Sequence, residues 1–419
     1  MAMKESGIEW VGLIPDDWKI AKNNRLFNIS KQLVNENWKN TQLLSLTKSG
    51  IIEKNINDGG GKQPESFGTY QYVEKDDIVL CLFDIDVSAV FSDRSKYDGM
   101  ISPAYRVMKC TDAILPVYAK WWFDAVNIGR YYLIYTKSLR KTIDADGFGN
   151  ILTVVPPLSE QQAIANYLDE TCSQIDEIIA EAKASIDEYR ELKQSVIFET
   201  VTTGLDKNVE MKDSTIEFIS SIPLNWKVCR IATIYEESKE TGREDLPILM
   251  VSINTGISEY EVGDDQRIRK VTRSDDKSIY KVVHHNDLVY NMMRAWQGGF
   301  GAAQVDGLVS PAYVVATPKS DVDSRYIEAL LRTPIFTEKI HGLSYGVADF
   351  RLRLYWTYFK ELRICLPPID EQREIANYIA NESKKIDMLI KEKTVLINDL
   401  EAYKKSLIYE VVTGKRRVV

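Results

Sequence analysis

Histidine is almost missing from this sequence, with three in 419 residues: His284, His285 and His341. No HExxH spacing exists, and a His-His pair ahead of Asn286 reads as a turn or surface feature before it reads as a metal site. Cysteine is also sparse. Cys81, Cys110, Cys172, Cys229 and Cys365 are odd in number, scattered and never spaced as CxxC, which describes free thiols in a reducing compartment. No run of about 18 apolar residues occurs, so no membrane-spanning helix is expected. The opening MAMKESGIEW lacks the apolar stretch of a secretory signal, and a cytoplasmic location is expected. Cofactor motifs are absent too. Gly59-Gly60-Gly61-Lys62 runs into Gln63 without Walker spacing, Gly414-Lys415 fails likewise, and no GxGxxG opens a helix after a strand. Pro156-Pro157 follows Val155, without the polar and aromatic partners of an amino-methyltransferase site. No nucleophile–base pair stands at a recognisable spacing, so the chain reads as having no active site of its own, no metal and no cofactor. Excess positive charge is the last absence. Lys plus Arg number 53 against 61 acidic residues, a net charge of −8. Bulk attraction to phosphate is thereby excluded, though local basic patches are not.

What the chain has in abundance is repetition. PPLSEQQAIANYLD from Pro156 returns as PPIDEQREIANYIA from Pro367, and the two stretches align without a gap, at an offset of 211, out to Thr202 and Thr413. SGIEWVGLIPDDWKI from Ser6 returns as STIEFISSIPLNWKV from Ser214, and GMISPAYRV from Gly99 as GLVSPAYVV from Gly307. The chain is two copies of one unit, each a globular segment followed by a long helix. Near two-fold symmetry within one polypeptide suits a partner with two recognition points, of which paired half-sites on duplex DNA are the commonest.

Ser159 and Asp370 are N-cap types that begin S-E-Q-Q and D-E-Q-R, close to the capping-box pattern. Apolar residues then recur every seven: Leu168, Ile175, Ala182, Tyr189 and Val196 in one copy, Ile379, Ile386, Lys393, Leu400 and Leu407 in the other. Neighbouring rows hold Ile178 with Leu192, Ile179 with Ile186, Leu389 with Leu396 and Tyr403, and Ile390 with Ile397. Such heptads predict coiled-coil helices of roughly 60 Å, against the simpler possibility of two separate amphipathic surface helices. The globular parts, 1–155 and 214–366, mix short β-rich runs (Asp76–Phe83, Ala104–Cys110, Asn286–Met293, Ala312–Thr317) with polar loops and one helical stretch each, Tyr118–Val126 and Ser324–Arg332. This is an α+β class. The two globular parts look far less alike than the two helices.

Chemistry for recognition sits in clusters. Arg267, Arg269, Lys270 and Arg273 form a basic strip, and Arg294, Trp296 and Gln297 end a strand ahead of two glycines. Arg and Gln make bidentate contacts to guanine and adenine edges, and glycines let backbone approach phosphate. The first half offers Lys48, Lys62, Gln63, Arg94 and Lys96. At the 211 offset Arg140 of LRKTI, beside Lys141, meets Arg351 of FRLRL, beside Arg353, just before the final strand. Phosphate positioning and a structural salt bridge both fit that retained arginine.

Taken together, the doubled PPxxEQ helices, their ETVTTG and EVVTG closures, and the IEWVGLIPDDWK and IEFISSIPLNWK openings resemble the specificity subunit of type I restriction-modification enzymes over essentially the whole chain. The resemblance implies two target recognition domains (1–155 and 214–366) separated by two long antiparallel helices (156–213 with its linker, and 367–419), pseudo-two-fold by internal duplication. Each domain would read one half of a split, asymmetric DNA sequence. Two modification subunits carrying S-adenosylmethionine would methylate adenine, and restriction subunits using ATP would usually accompany them. Helix faces around Ile164, Tyr167, Ile375 and Tyr378, with the exposed helix sides, are then expected to dock those partners. The rival expectations are a protein-interaction scaffold with two binding modules on a coiled-coil spacer, and a self-sufficient methyltransferase, which the missing cofactor motifs oppose.

Overall fold

In a computed structural model of the chain the described residues are 2–56, 66–87, 91–136, 141–243, 245–253, 256–258, 277–346 and 351–418. They form two compact units, Met1–Lys183 with Thr394–Val419, and Ala184–Lys393. The division runs through both long helices, Leu158–Thr203 and Ile369–Val412, so each unit holds the start of one helix and the end of the other.

Both helices begin directly after a Pro-Pro pair, one residue earlier than their expected N-caps. Ser159 and Asp370 therefore lie inside the first turn, and the Pro157 carbonyl accepts from Glu160 and Gln161 at 2.9 Å. Two consecutive prolines fix an extended approach, and the main-chain carbonyl that follows starts the helix without a hydroxyl cap. In the first unit Leu168, Cys172, Ile175, Ile179 and Ala182 are buried along one helix, and Ile397, Leu407 and Val411 along the other. In the second unit Ile186 and Val201 are buried along one helix, and Ile375, Ile379 and Ile386 along the other. The alternating spacing of three and four is a coiled-coil seam. The neighbouring rows divide: Ile179, Ile186 and Ile397 are buried in the seam, while Ile178 and Leu192 are 45% and 50% exposed and Leu389 and Tyr403 41% and 45%.

The globular parts share one topology. In the first, the strands Phe27–Ser30, Arg106–Cys110, Ile78–Leu80 and Ser92–Arg94 lie side by side in that order; in the second, Tyr235–Ser238, Tyr313–Pro318, Leu288–Asn291 and Phe300–Ala302 do the same. A two-stranded ribbon ties the opening of each copy to its last strand, Lys19–Lys22 with Leu152–Val155 and Lys227–Arg230 with Arg363–Leu366. The helical stretches form as Pro116–Gly129 and Ser324–Leu331. The globular parts are thus a duplicated frame with divergent side chains and loops. Period-two strands accept any apolar side chain inward, so a frame persists while its letters change.

The doubled motifs meet at one joint in each unit. Trp18 donates from its indole N–H to Glu160 at 3.0 Å, and Trp226 does the same to Glu371 at 3.0 Å. The buried amide of Gln161 donates to the Pro156 and Ala113 carbonyls at 2.8 and 3.1 Å and accepts from the Leu115 N–H at 2.7 Å. Its repeat mate Gln372 donates to Pro367 at 2.9 Å and accepts from Asp323 at 2.9 Å. The fully buried Tyr118 hydroxyl donates to the Val154 carbonyl and, at 3.4 Å, to Val412 at the end of the other long helix. Tyr326 repeats this with Cys365 at 3.0 Å and Val201 at 3.1 Å. A glycine closes each joint: Gly414 (φ 72°) against Pro15 and Trp18, and Gly204 (φ 79°) against Pro223 and Trp226. The left-handed backbone there ends a helix at no steric cost.

Candidate nucleic-acid interface

The last strand of each globular part is preceded by a segment that crosses a loop leaving the central sheet. In the first copy the Ile143 N–H donates to the Leu82 carbonyl at 2.9 Å; in the second, Leu354 donates to Met292 at 2.9 Å. This brings Lys141 beside the loop Phe83–Ile85, with the Ile85 N–H donating to the Lys141 carbonyl at 3.3 Å. Lys141 is exposed and sits at φ 47°. In the second copy it brings Arg351 and Arg353, both exposed, beside the turn that carries Arg294, Trp296 and Gln297. The main chain of Arg353 pairs both ways with Tyr345 at 2.9 and 3.1 Å, and the Tyr345 side chain is 72% exposed. A short helix, Trp356–Phe359, separates Arg351 from the final strand Arg363–Leu366, so this arginine does not stand directly before that strand as expected.

The Arg294 turn is internally tied. Arg294 donates to the Gln297 side-chain oxygen at 2.8 Å, and the Trp296 indole donates to the Met293 carbonyl at 3.1 Å while its ring meets His341 edge-on at 5.4 Å. Gly298 takes φ 85° and Gly299 lets the Arg294 carbonyl come close, so these glycines shape the turn itself. Arg294 is exposed and Gln297 half-buried, a guanidinium and an amide presented together.

In the first copy Lys48 is exposed at the turn of the hairpin Leu43–Thr47/Gly50–Lys54, and Lys96 is exposed after the strand Ser92–Arg94. Arg94 is half-buried and lies 3.7 Å from Asp76. Lys62, Gln63, Arg140, Arg267, Arg269, Lys270 and Arg273 lie outside the described residues.

The expected docking residues divide. Ile164 and Ile375 are 2% and 0% exposed and belong to the cores of their own units, so they are not docking surface; the Pro-Pro entry turns these isoleucines toward their domains. Tyr378 is 41% exposed and Tyr167 half-buried.

All five cysteines are free thiols, and burial pushes Cys365 up to about 12 and Cys172 up to about 11. Among the described residues no group of three or more His, Cys, Asp or Glu side chains could hold a metal ion. His284 instead places its two ring nitrogens 3.1 Å from Glu240 and 3.3 Å from Asp306, on opposite sides of the ring. Among the described residues no helix is long and apolar enough to cross a membrane.

Motif reading missed one ion pair on each domain helix. At equivalent positions of the two domain helices stand ion pairs of opposite polarity, Lys120–Asp124 at 2.8 Å and Glu328–Arg332 at 2.7 Å. Burial raises both Asp124 and Glu328. The only sequence signal was charge spacing at i,i+4, which is common on any helix.

The comparisons align with this geometry. A chain from a structure of the type I R-M system, solved for its complex assembly and conformational transition, superposes with a TM-score of 0.68 over 96% of this chain and 99% of that one, at 12% identity. The HsdS subunit from Thermoanaerobacter tengcongensis superposes with a TM-score of 0.54 over 96% and 98%, at 13% identity. The fold is that of a type I specificity subunit. In sequence, the Type I restriction enzyme MjaVIII specificity subunit of Methanocaldococcus jannaschii is 24% identical over 318 residues, 68% of this chain and 70% of that protein. No family model matches the chain.

Proposed function

We propose that this chain is the DNA-recognition subunit of a type I restriction-modification complex, with each globular domain reading one half of a bipartite, asymmetric site. The observation that carries it is the doubled frame: one topology, one joint and one loop crossing occur twice, while the side chains presented at the crossings differ. Two equal frames with unequal loops fit two different half-sites. Arg294, Trp296 and Gln297, with Arg267, Arg269, Lys270 and Arg273, are assigned to one half-site. Lys48, Lys62, Gln63, Arg94 and Lys96 are assigned to the other. Arg140 with Lys141, and Arg351 with Arg353, are assigned to phosphates. The subunit itself is non-catalytic. Two modification subunits supply S-adenosylmethionine and methylate adenine, and restriction subunits supply ATP-driven cleavage. The net charge of −8 is consistent with partners that provide much of the phosphate grip.

The test is single-molecule mapping of methylated adenines in cells with and without this chain, the modification partner being kept. One split motif that depends on the chain is expected; no such motif, with the partner active, overturns the reading. Lengthening both long helices by one heptad is expected to change the permitted spacer and leave both half-sites intact. An unchanged spacer would remove the helices from that role.

A further inference from the structure

Each globular domain holds a second, small core away from its joint. Leu44, Ile51, Val73, Val79, Ile101 and Val107 form it in the first copy; Leu249, Val283, Val289, Ala303, Val309 and Val315 form it in the second. A hairpin covers each core: Leu43–Thr47 with Gly50–Lys54, and Met250–Ser252 with Gly256–Ser258. At each turn one glycine takes a left-handed conformation, Gly50 at φ 90° and Gly256 at φ 72°.

Behind each glycine stands a carboxylate that a Cβ would strike: Asp93 behind Gly50, Glu328 behind Gly256. Asp93 accepts from the Ile51 N–H at 2.7 Å. Glu328 accepts from the Ala302 N–H at 2.8 Å and from Arg332 at 2.7 Å, and Arg332 extends on to the Ile253 carbonyl at 2.6 Å. The two anchors are not repeat mates. Asp93 lies on the edge strand Ser92–Arg94 and Glu328 on the domain helix Ser324–Leu331. Side chains from two different elements thus stand against the hairpins of the two copies, Asp93 bonding its hairpin directly and Glu328 through Arg332. The hairpin turn of the first copy projects the exposed Lys48.

We propose that Asp93, and the Glu328–Arg332 pair, are positioning residues that hold the two hairpins for contact with DNA, one hairpin per half-site. This rests on the DNA-recognition reading above. Neither anchor is assigned a base; each sets where its hairpin stands, and base contacts lose discrimination when their support shifts by a fraction of a bond length.

The test uses the full chain assembled with its modification partner and compares methylation across a library of sites varied in each half. Asp93→Ala is expected to relax discrimination in one half-site by roughly five- to hundredfold, with the other half-site and the spacer unchanged. Asp93→Asn, which keeps an acceptor for the Ile51 N–H, is expected to restore it. Glu328→Gln with Arg332→Met is expected to act on the opposite half-site. Lys48→Ala, a surface change at the turn that Asp93 supports, is expected to relax discrimination in the same half-site as Asp93→Ala. Equal relaxation of both half-sites by Asp93→Ala, or no response to Lys48→Ala, overturns the inference while the recognition reading stands. A wild-type complex with no split motif overturns that reading, and the inference with it.

Discussion

Asp176 and Lys404 meet at 2.6 Å across the helix pair of the first unit, and their repeat mates Asp387 and Lys193 meet at 2.7 Å in the second. Each lysine occupies a seam position and is half-buried, and each aspartate is more than half exposed. A lysine at a seam position costs hydrophobic burial and specifies which residues face each other. The same register therefore recurs in both units through an antiparallel pairing of two helices with the same pattern.

Breaking one of these pairs is expected to cost little. Lys404→Ala should lower stability by about 0.2–1 kcal/mol, and less at high salt, because the carboxylate is solvated. A double-mutant cycle with Asp176→Ala, read by chemical denaturation, measures the coupling. A coupling well above that range would mean the pair is shielded from solvent.

The joint tyrosines are a stronger case. Tyr326→Phe removes the donor to two buried carbonyls, Val201 and Cys365, and is expected to destabilise by about 1–3 kcal/mol. Hydrogen exchange at the end of the helix Leu158–Thr203 should accelerate. Tyr118→Phe should do the same at the end of the other helix, since its hydroxyl reaches Val412. Protection unchanged in both variants would show that the helix ends are held by packing alone.

His284 makes the stability of the second globular part depend on pH. The hydrogen bond to Glu240, and then that to Asp306, raise its pKa above the ordinary 6.5. A value raised on folding stabilises fully below 6.5 and loses that contribution as pH climbs through the folded value. Asp306 is lowered from 3.8, first by the His285 N–H and then by His284, so its contribution is present above 3.8 and fades as pH falls through its folded value. His284→Gln is expected to flatten the neutral-to-alkaline limb of the stability profile. An imidazole titration followed by NMR at or below the ordinary value would contradict this.

Gln297 and Arg351 are expected to separate reading from holding. Gln297→Ala frees Arg294 from its 2.8 Å hydrogen bond and is expected to change base preference in one half-site by about 1–3 kcal/mol. Arg351→Ala is expected to weaken cognate and scrambled sites alike and to reduce the salt slope by about one ion. Binding titrations of the assembled complex at several salt concentrations decide both. Equal losses on cognate and scrambled DNA from Gln297→Ala would remove it from base reading.

The motifs that carried the family resemblance are spent on internal hydrogen bonds. Trp18, Glu160 and Gln161, with Trp226, Glu371 and Gln372, build the joints between domains and helices. Their spacing is retained because one indole, one carboxylate and one amide must satisfy each other in a buried place, and few alternatives do so. The loops obey no such constraint, which is why no base code was legible in them.

Sequence by itself determined the duplication, the α+β class, the two long helices and the heptad register, because repeats and periodicity are carried by residues close along the chain. It also located two central strands and one helix of each globular part to within a few residues. Only tertiary structure decided that each helix end closes on the buried tyrosine of a distant segment, that Ile164 and Ile375 face inward, and that Arg294 is held by Gln297. It alone placed Asp93 and Glu328 behind equivalent glycines from different elements. The physical reason is range. A buried hydrogen bond between residues scores apart in sequence leaves no local pattern, and a carboxylate's role depends on the backbone N–H that packing happens to bring to it.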